Sequence, residues 1–562
     1  MPSSFFAWHK LWPIFGLLKL NRFRDRMRKE NLHDTEARPS IPQPPLPPPT
    51  NEQRHSRTAD GAYNDLSKPR MGMVGARFGR NVPLERVDIP TDQSLLTPNP
   101  REISLKLMKR DKFIPVEQLN LLAASWIQFQ VHDWFAHGTD KQAPPIEVPL
   151  PPGDNEWPVN PMVIRQTLHD DTRPPADTSP LPTYRNLETH WWDGSQLYGS
   201  TLERQRQLRA FTDGKLTLEA NGLLPLDENG VDLTGVNANW WVGLSMLHTL
   251  FTREHNAICD KLKTENAGWS DEQLFQTARL INAAIMAKIH TIEWTPRILL
   301  TKTLELGMNN NWTTIRQSKQ EHHAAPYAMT EEFVSVYRMH QLLPDDYAFH
   351  SLQPGKAVVG KTLTEIAGRE ARGVVEQVGM ADLFYSFGIA HPGAITLHNY
   401  PETLRNLSRG GDVKMDLAAI DILRDRERGV PRYNAFRRLM GMDAVEKFED
   451  LSDKKEWCEE IRAVYQNNLE AVDLQVGMYA EPLISGFGFS ETALRVFLLM
   501  ASRRLQSDRF FTTDYNEQTY TKTGLQWIED TTLVTVLRRH IPALQPILRN
   551  QKNGFAPWPR VA

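Results

Sequence analysis

Apolar residues recur every three or four positions over long stretches of the chain, which is the spacing of a helix with a buried face. The predicted helices span residues 117–136, 240–264, 271–295, 330–342 and 487–506. Strict alternation of apolar and polar residues, which is typical of half-buried strands, is scarce. The pattern therefore predicts a mainly α protein with one large helical domain.

Two of these helices carry N-terminal signals. Ser270 precedes the third helix, and Thr330 precedes the fourth, where Glu331 and Glu332 follow. A Ser or Thr hydroxyl at this position accepts a hydrogen bond from the free N–H groups of the first turn. We therefore expect these helices to begin directly after Ser270 and Thr330.

Proline marks the main boundary along the chain. Residues 39–49 hold seven prolines, and neither a helix nor a sheet continues through such a run. A second Pro-rich loop runs from Pro144 to Pro182. We expect an N-terminal amphipathic segment and linker over residues 1–50, and the helical domain over residues 51–562.

The N-terminal segment, residues 5–29, mixes large apolar and basic side chains. The apolar members are Phe5, Phe6, Trp8, Trp12, Phe15, Leu17 and Leu18. The basic members are Lys19, Arg22, Arg24, Arg26, Arg28 and Lys29. This composition suits a segment lying on a membrane surface as a peripheral contact. It suits equally a helix packed on the main domain.

Composition and charge limit the partners and the cellular compartment that we expect for this protein. The 562 residues are 40% hydrophobic and 24% charged, with a formal net charge of −3, so no general attraction to nucleic acid is expected. Two cysteines, Cys259 and Cys458, make no disulfide framework, which favours a reducing compartment. No apolar run is long enough for a transmembrane helix, and no signal peptide is recognisable. We expect a cytoplasmic protein, peripheral on a membrane surface at most.

The run from Gln128 to Asp133 carries candidate chemistry. On a helix, Gln128 and His132 are four residues apart and share a face. A neutral His can move a proton between the oxygens of a peroxide, and a Gln amide can hydrogen-bond the departing oxygen. The alternative is a helix with two ordinary polar residues, but Asp133 beside a half-buried His favours a site.

A second run, Tyr337 to His340, can be read together with the first as the two sides of a haem, with Gln128 and His132 above the iron and His340 below it. His340 can ligate the iron, and Tyr337 lies three residues before it. If both lie on the predicted helix, they are about 4.5 Å apart along its axis. Such a short path indicates a tyrosyl radical.

A candidate calcium site follows from oxygen-bearing residues 189–195. An extended loop would point Thr189, Asp193 and Ser195 the same way, and hard oxygen ligands suit calcium. The alternative is a polar turn closed by Gly194. The expected ligand set is Asp133, Thr189, Trp191 through its main chain, Asp193 and Ser195.

Taken together, four runs resemble the fatty-acid α-dioxygenases, in the cyclooxygenase-like branch of the animal-type haem peroxidase superfamily. These runs are residues 121–134, 191–195, 253–257 and 331–340. The likeness extends from about residue 57 to residue 525 and beyond. It implies that residues 51–562 form a haem-dependent dioxygenase/peroxidase domain with one haem b per chain and calcium.

The resemblance also implies roles for single residues. His340 would be the proximal iron ligand, His132 the distal His and Gln128 its helper, and Tyr337 the radical that attacks substrate. A ligand His usually needs an acceptor on its other ring nitrogen, and we expect Asn399 to provide it.

A fatty-acid carboxylate needs buried donors next to Tyr337. In the family, the positions of His290 and Thr295 bind this head group. An Arg is expected to complete the site, because guanidinium pairs bidentately with carboxylate. We assign Arg504, with Arg503 and Arg495 as rivals.

The implied function is fatty-acid α-dioxygenation. The Tyr337 radical removes a hydrogen from C2 of a fatty acid, dioxygen adds, and a 2-hydroperoxy acid forms, with hydrogen peroxide as activator. The alternative enzyme is a general haem peroxidase that oxidises small donors without need of Tyr337 or the carboxylate site. A non-enzymatic scaffold is a third hypothesis, which the presence of Gln128, His132 and Tyr337 opposes.

Overall fold

The structure is a computed structural model that describes residues 8–34, 46–172, 179–316, 318–321, 328–408 and 414–561. Phe5, Phe6 and residues 39–45 of the Pro-rich linker lie outside the described residues. The division at residue 50 stays a prediction.

The fold is mainly α, as the periodicity predicts. The helices of the first half are α1 Pro13–Glu30, α2 Asn51–His55, α3 Asp92–Leu96, α4 Pro100–Ile103, α5 Leu122–Trp134, α6 Ser195–Tyr198, α7 Leu202–Leu208, α8 Val242–Glu265, α9 Asp271–Ile289, α10 Thr295–Ile298 and α11 Lys302–Ile315. Those of the second half are α12 Glu331–Val336, α13 Glu370–Val378, α14 Met380–Ile389, α15 Glu402–Arg405, α16 Leu417–Glu427, α17 Tyr433–Leu439, α18 Lys455–Val464, α19 Leu474–Ala480, α20 Glu491–Val496, α21 Glu517–Asp530, α22 Leu533–His540 and α23 Gln545–Leu548.

Short strands and tighter or wider helical turns complete the described part of the chain. The strands form antiparallel pairs, β1 Ile146–Val148 with β2 Met162–Ile164, β3 Asp346–Phe349 with β4 Val359–Thr362, and β5 Leu407–Ser408 with β6 Lys414–Met415. The π-helical segments are Ser104–Met108, His290–Trp294 and Phe497–Ala501. These pairs are too short to form a layer, so packed helices make the core.

The centre of the fold is the pair α8 and α9, with α5 packed against α8. The Ser270 hydroxyl accepts from the Gln273 N–H, and the Gln273 side chain accepts from the Ser270 N–H, so the predicted N-cap of α9 is confirmed. Helix α5 begins at Leu122 rather than at residue 117. It carries Gln128 and His132 into this core.

The predicted helix over residues 330–342 is wrong in its second half. Thr330 caps α12 as expected, but the helix ends at Val336. Tyr337 has φ −88° and ψ 12°, and a short 3₁₀ turn begins at His340. The carbonyl of Arg338 instead accepts a hydrogen bond from the Tyr479 hydroxyl at 2.8 Å. The 4.5 Å axial spacing expected between Tyr337 and His340 therefore does not apply.

The predicted helix over residues 487–506 is also broken. Helix α20 runs from Glu491 to Val496, the π-helix follows, and the chain leaves helical geometry at Arg503 with φ −134° and ψ 26°. Because the chain changes direction here, the side chains of Arg503 and Arg504 lie in different surroundings.

The N-terminal segment forms a helix that packs on the domain. Helix α1 buries Leu20, Phe23 and Met27 and lies against α11. Among the described residues, none of the helices combines the length and the apolar character needed to cross a membrane.

Candidate active site

Helix α5 presents His132 and Gln128 one turn apart. Burial lowers the pKa of His132 to about 4, so its ring is neutral at neutral pH, and its Nδ1 has no hydrogen-bond partner among the described residues. The Gln128 Oε1 accepts from Trp241 Nε1 at 2.7 Å, and Nε2 donates to the Asn239 carbonyl at 3.2 Å. His132 can therefore accept a proton, while Gln128 is fixed and keeps one amide hydrogen for a ligand.

His340 is held through its Nδ1. This nitrogen lies 2.8 Å from Asp421 Oδ2 and 3.0 Å from the Tyr400 hydroxyl, which itself donates to Asp421 Oδ2 at 2.9 Å. A carboxylate only accepts, so Nδ1 carries the proton and Nε2 is left for a metal. The side chain is 29% exposed, which gives a ligand access to that nitrogen. These residues fit a haem iron ligated by His340.

Asp421, rather than Asn399, is the acceptor for His340. The Asn399 amide accepts from the Ile114 N–H and donates to the Ile114 and Ala394 carbonyls, so the expectation for Asn399 is wrong. Burial alone would raise the pKa of Asp421, but the contact with His340 and the charge of Arg338 outweigh burial and lower the pKa. The carboxylate is therefore ionised and bound by donors on several sides.

Tyr337 lies in an aromatic enclosure. Its ring stacks on Phe333 with centroids 4.2 Å apart and meets Trp134 edge-on at 5.8 Å. Burial raises the pKa of the phenol, so Tyr337 keeps its proton at neutral pH. Trp134, two residues after His132 on α5, therefore forms one wall of the Tyr337 enclosure.

His290 lies against the other edge of the same indole. Its ring is 5.3 Å from Trp134 and 5.2 Å from Trp192. Trp126 Nε1 donates to His290 Nδ1 at 3.3 Å, so the proton of the neutral ring lies on Nε2. Burial, and then the charge of Arg504, lower the pKa of His290 to about 3. His290 is thus a neutral hydrogen-bond donor whose tautomer is set by Trp126.

Arg504 lies over the same pair of indoles. Its guanidinium carbon is 5.1 Å from the Trp134 ring and 5.5 Å from the Trp192 ring. One terminal nitrogen donates to the His190 carbonyl, and the buried Nη1 has no partner in the described part of the chain. Burial lowers the pKa of Arg504 to about 10, which leaves it charged at neutral pH. It is a buried cation with an unfilled donor beside His290 and Tyr337.

The rival arginines face elsewhere. Arg495 lies 4.1 Å over the Phe23 ring of α1, and Arg503 feels the charges of Arg24 and Glu321. Thr295 is buried beside the site, but its hydroxyl donates to the His290 carbonyl at 2.9 Å. The structure therefore brings His290 and Arg504 together. The Thr295 backbone N–H closes the π-turn on the same His290 carbonyl, and the expected contact of Thr295 with a carboxylate stays a prediction.

The candidate cation site joins α5 to the start of α6. Asp133 Oδ1 accepts from the N–H and the hydroxyl of Ser195, at 2.6 and 2.9 Å. Asp133 Oδ2 and Thr189 Oγ1 are buried without a partner among the residues described. Burial, followed by the charge of Asp193, raises the pKa of Asp133 well above its usual value. Unfilled oxygens and crowded carboxylates fit a hard cation.

The surroundings of this site differ from the expected extended loop. Gly194, with φ +79°, turns the chain into α6, so residues 189–195 do not alternate like a strand. The Trp191 indole donates to the Gly61 carbonyl at 3.0 Å, and its expected role as a main-chain ligand stays a prediction. Asp193 Oδ2 accepts from Arg279 at 3.2 Å, so one carboxylate already has a cationic neighbour.

Sequence reasoning missed four residues that hold the predicted ones. They are Trp126, Trp241, Tyr400 and Asp421. Each lies at least 60 residues from the side chain that it contacts. No local pattern marks such distant partners.

Comparison with known proteins places the chain in a family. Residues 56–555 match the family model described as animal haem peroxidase. Alpha-dioxygenase 2 of Arabidopsis thaliana is 40% identical, with 89% of this chain and 84% of the relative covered. Alpha-dioxygenase PIOX of Oryza sativa subsp. japonica is 38% identical, with 98% and 93% covered.

Solved structures agree with these matches. A variant of the Oryza sativa fatty acid alpha-dioxygenase, crystallised with palmitic acid, has a TM-score of 0.91 and 37% identity, covering 99% of this chain and 95% of that chain. Peroxidase A of Dictyostelium discoideum, with a TM-score of 0.73 and 20% identity, shares the fold. The chain therefore belongs to the animal haem peroxidase family and, within it, to the α-dioxygenases.

Proposed function

We propose that this protein is a haem-dependent fatty-acid α-dioxygenase that converts a fatty acid and dioxygen into a 2-hydroperoxy fatty acid. The observation that carries the proposal is the buried Arg504, whose Nη1 is unfilled beside His290 and the Tyr337 enclosure. A buried cation with a free donor is costly unless an anion pairs with it. A carboxylate is the anion that suits a guanidinium and a neutral imidazole donor.

Different residues of the chain would bind the haem and act on the peroxide. His340 would hold the iron through Nε2, with Asp421 and Tyr400 fixing its ring. When bound, haem supplies the peroxide-driven one-electron oxidation that produces a tyrosyl radical. His132 accepts a proton from the peroxide that activates the enzyme, and Gln128 donates a hydrogen bond next to it.

Tyr337 performs the step on the substrate. Arg504 and His290 hold the carboxylate, so C2, the carbon next to it, is presented to the phenol oxygen. The tyrosyl radical takes a hydrogen atom from C2 and becomes a phenol again. Dioxygen adds to the C2 radical to give a peroxyl radical, and Tyr337 returns the hydrogen atom, which forms the hydroperoxide and restores the tyrosyl radical.

Calcium at the Asp133 site is part of the proposal. The unfilled Asp133 Oδ2 and Thr189 Oγ1 support it, together with the nearby Asp193 and Ser195. Trp191 would add its main-chain oxygen. Calcium would fix the end of α5 and thereby His132. Peripheral contact with a membrane is a separate proposal that rests on α1.

Oxygen uptake with palmitate tests the reaction. The haem-loaded protein, given a trace of hydrogen peroxide, should consume oxygen and form the 2-hydroperoxy acid, identified by mass spectrometry. Arg504→Gln should raise KM by about 10- to 100-fold, because a charge-assisted hydrogen bond of about 1.5–3 kcal/mol is lost. Arg503→Gln is the matched control, since Arg503 faces α1. Oxidation of small phenols without oxygenation of palmitate would reject the proposal in favour of a general peroxidase.

A further inference from the structure

The outer face of α1 is apolar near its N-terminus. The exposed fractions are 42% for Leu11, 69% for Trp12, 66% for Ile14, 63% for Phe15 and 50% for Leu18. Single exposed apolar side chains are ordinary, but these five lie close together in the sequence: Leu11 and Trp12 directly precede α1, and the other three lie in its first two turns. It includes two aromatic residues, which favour the boundary between water and hydrocarbon.

This face points outward because the opposite face is fixed to the domain. Leu20, Phe23 and Met27 are buried. Gly16 lies so close to Thr303 of α11 that an added Cβ would come within 3.1 Å of the Thr303 side chain. A Cβ at Gly307 of α11 would come within 2.9 Å of the Leu17 side chain. Helix α1 therefore has no room to roll its apolar face inward.

Basic side chains accompany the apolar group. Between residues 8 and 30, the charged residues are Lys10, Lys19, Arg22, Arg24, Asp25, Arg26, Arg28, Lys29 and Glu30. Lys10, Arg22, Arg26 and Lys29 are exposed. The whole chain has a formal net charge of −3, so this positive character is local. A basic band beside an apolar tip matches the layers of an anionic bilayer, where phosphates lie above hydrocarbon.

Helix α1 also lies on the elements that lead to Arg504. Arg495 of α20 packs over the Phe23 ring of α1, and α1 contacts the π-helix Phe497–Ala501. The next helical turn begins at Arg504. A surface here would face the bilayer next to the elements that carry the candidate carboxylate site.

We propose that α1 docks this protein onto the surface of an anionic phospholipid bilayer. Trp12, Ile14, Phe15 and Leu18 enter the boundary between head groups and acyl chains, and the basic side chains contact the phosphates. The proposal is independent of the reaction, because docking needs neither haem nor fatty acid.

Co-sedimentation of the full chain with vesicles tests this docking. The protein should bind vesicles of phosphatidylcholine with phosphatidylserine, and less to phosphatidylcholine alone. The double variant Trp12→Ser with Phe15→Ser should lower the partition coefficient at least about tenfold, because two buried aromatic contacts are lost. The matched control replaces Val163 of β2 and Leu202 of α7, whose side chains are 51% and 55% exposed, by Ser. This control should bind like the wild type.

Two further measurements distinguish insertion of Trp12 into the bilayer from electrostatic attraction of the basic side chains to the head groups. Brominated phosphatidylcholine should quench part of the tryptophan fluorescence, and Trp12→Phe should remove that part. Arg22→Glu with Arg26→Glu should weaken binding to anionic vesicles and reduce the loss of binding that added salt causes in the wild type. Circular dichroism should show that every variant is folded.

Other outcomes overturn the proposal. Wild-type binding by the Trp12→Ser, Phe15→Ser variant would show that α1 does not make the contact. Absence of vesicle binding, with a concentration-dependent dimer that the same substitutions abolish, would assign the face to a second copy of the chain.

Discussion

At the scale of single residues, one indole organises the candidate site. The Trp134 ring contacts the rings of His290 and Tyr337, and the Arg504 guanidinium lies over it at 5.1 Å. The phenol that we propose as the radical and the two groups that we propose to bind the carboxylate are therefore packed on one rigid side chain. Hydrogen abstraction depends on the distance from C2 of the substrate to the phenol oxygen. The Trp134 indole should help to set that distance, because it contacts all three groups.

Tyr337→Phe should abolish oxygenation and spare the rest of the site. The substitution keeps the ring that stacks on Phe333 at 4.2 Å and removes the hydroxyl that forms the radical. Oxygen uptake with palmitate should fall to background. The haem spectrum and its change on adding peroxide should persist, because His132 and His340 are unaltered. Normal oxygen uptake by this variant would contradict the radical mechanism.

Asp421→Asn should raise the reduction potential of the bound haem. An ionised carboxylate on His340 Nδ1 makes the ligand more basic and favours ferric iron, and a neutral amide loses this effect. We expect an increase of about 60 mV, which corresponds to a tenfold change in a one-electron equilibrium. Spectroelectrochemical titration measures it.

The control for this shift is Asp425→Asn, on the same helix α16. Asp425 accepts from the hydroxyl of Ser335 and from Gln475, not from His340. Its substitution should leave the potential unchanged. Equal shifts in the two variants would mean that any change among the buried carboxyl groups of α16, rather than the contact with His340, sets the potential.

At the scale of elements, π-helical turns shape the site. The π-helix His290–Trp294 extends α9, and the π-helix Phe497–Ala501 extends α20 towards Arg504. A π-turn bonds residue i to i+5 and displaces the following side chains from the register of an α-helix. His290 and Arg504 thus lie where an element departs from regular geometry.

The sequence predicts the long elements well because their signal is local. The capped start of α9 follows from Ser270 and the apolar period after it. The π-turn at His290 barely changes the spacing of the apolar residues, so the sequence of residues 271–295 predicts one continuous helix. The contact between His340 and Asp421 joins residues 81 positions apart, and no pattern in either segment announces it. The choice among Arg495, Arg503 and Arg504 likewise depends on how the chain turns at residue 503.

Asp133→Asn should remove calcium and loosen α5. Asp133 links α5 to Ser195 at the start of α6, and its Oδ2 is unfilled among the described residues. Calcium at a hundredfold excess over its Kd should stabilise the wild type by about 2.7 kcal/mol and the variant by much less. Elemental analysis and the thermal midpoint with and without a chelator measure both effects.

Asp530→Asn, an exposed aspartate of α21, is the control for calcium binding. It should keep its calcium and its response to the chelator. Absence of calcium from the wild type, with no effect of the chelator, would remove calcium from the proposal.

At the scale of the whole molecule, polar contacts fasten the C-terminal region to the central helices. Lys288 of α9 donates to the carbonyls of Ile528 and Thr531, at 2.9 and 3.1 Å. The Leu533 N–H donates to the Glu293 carboxyl at 3.1 Å, and the Asn553 amide donates to the Glu293 carbonyl at 3.0 Å. The segment that carries His290 is therefore held from the far end of the chain.

Glu293→Gln should stabilise the protein above neutral pH. Burial raises the pKa of Glu293 from 4.5 to about 7. Between these values the folded carboxyl is protonated while the unfolded one is ionised, so stability falls as the pH rises through this range and the full cost is present above pH 7. A shift of this size corresponds to about 3 kcal/mol. Gln stays neutral and can accept from the Leu533 N–H, so the variant should match the wild type at pH 4.5 and have a higher thermal midpoint at pH 8.

The control for this pH dependence is Glu228→Gln, at an exposed position, which should have the same thermal midpoint as the wild type at both pH values. Equal midpoints of the Glu293→Gln variant and the wild type at pH 8 would show that the buried carboxyl carries no such cost.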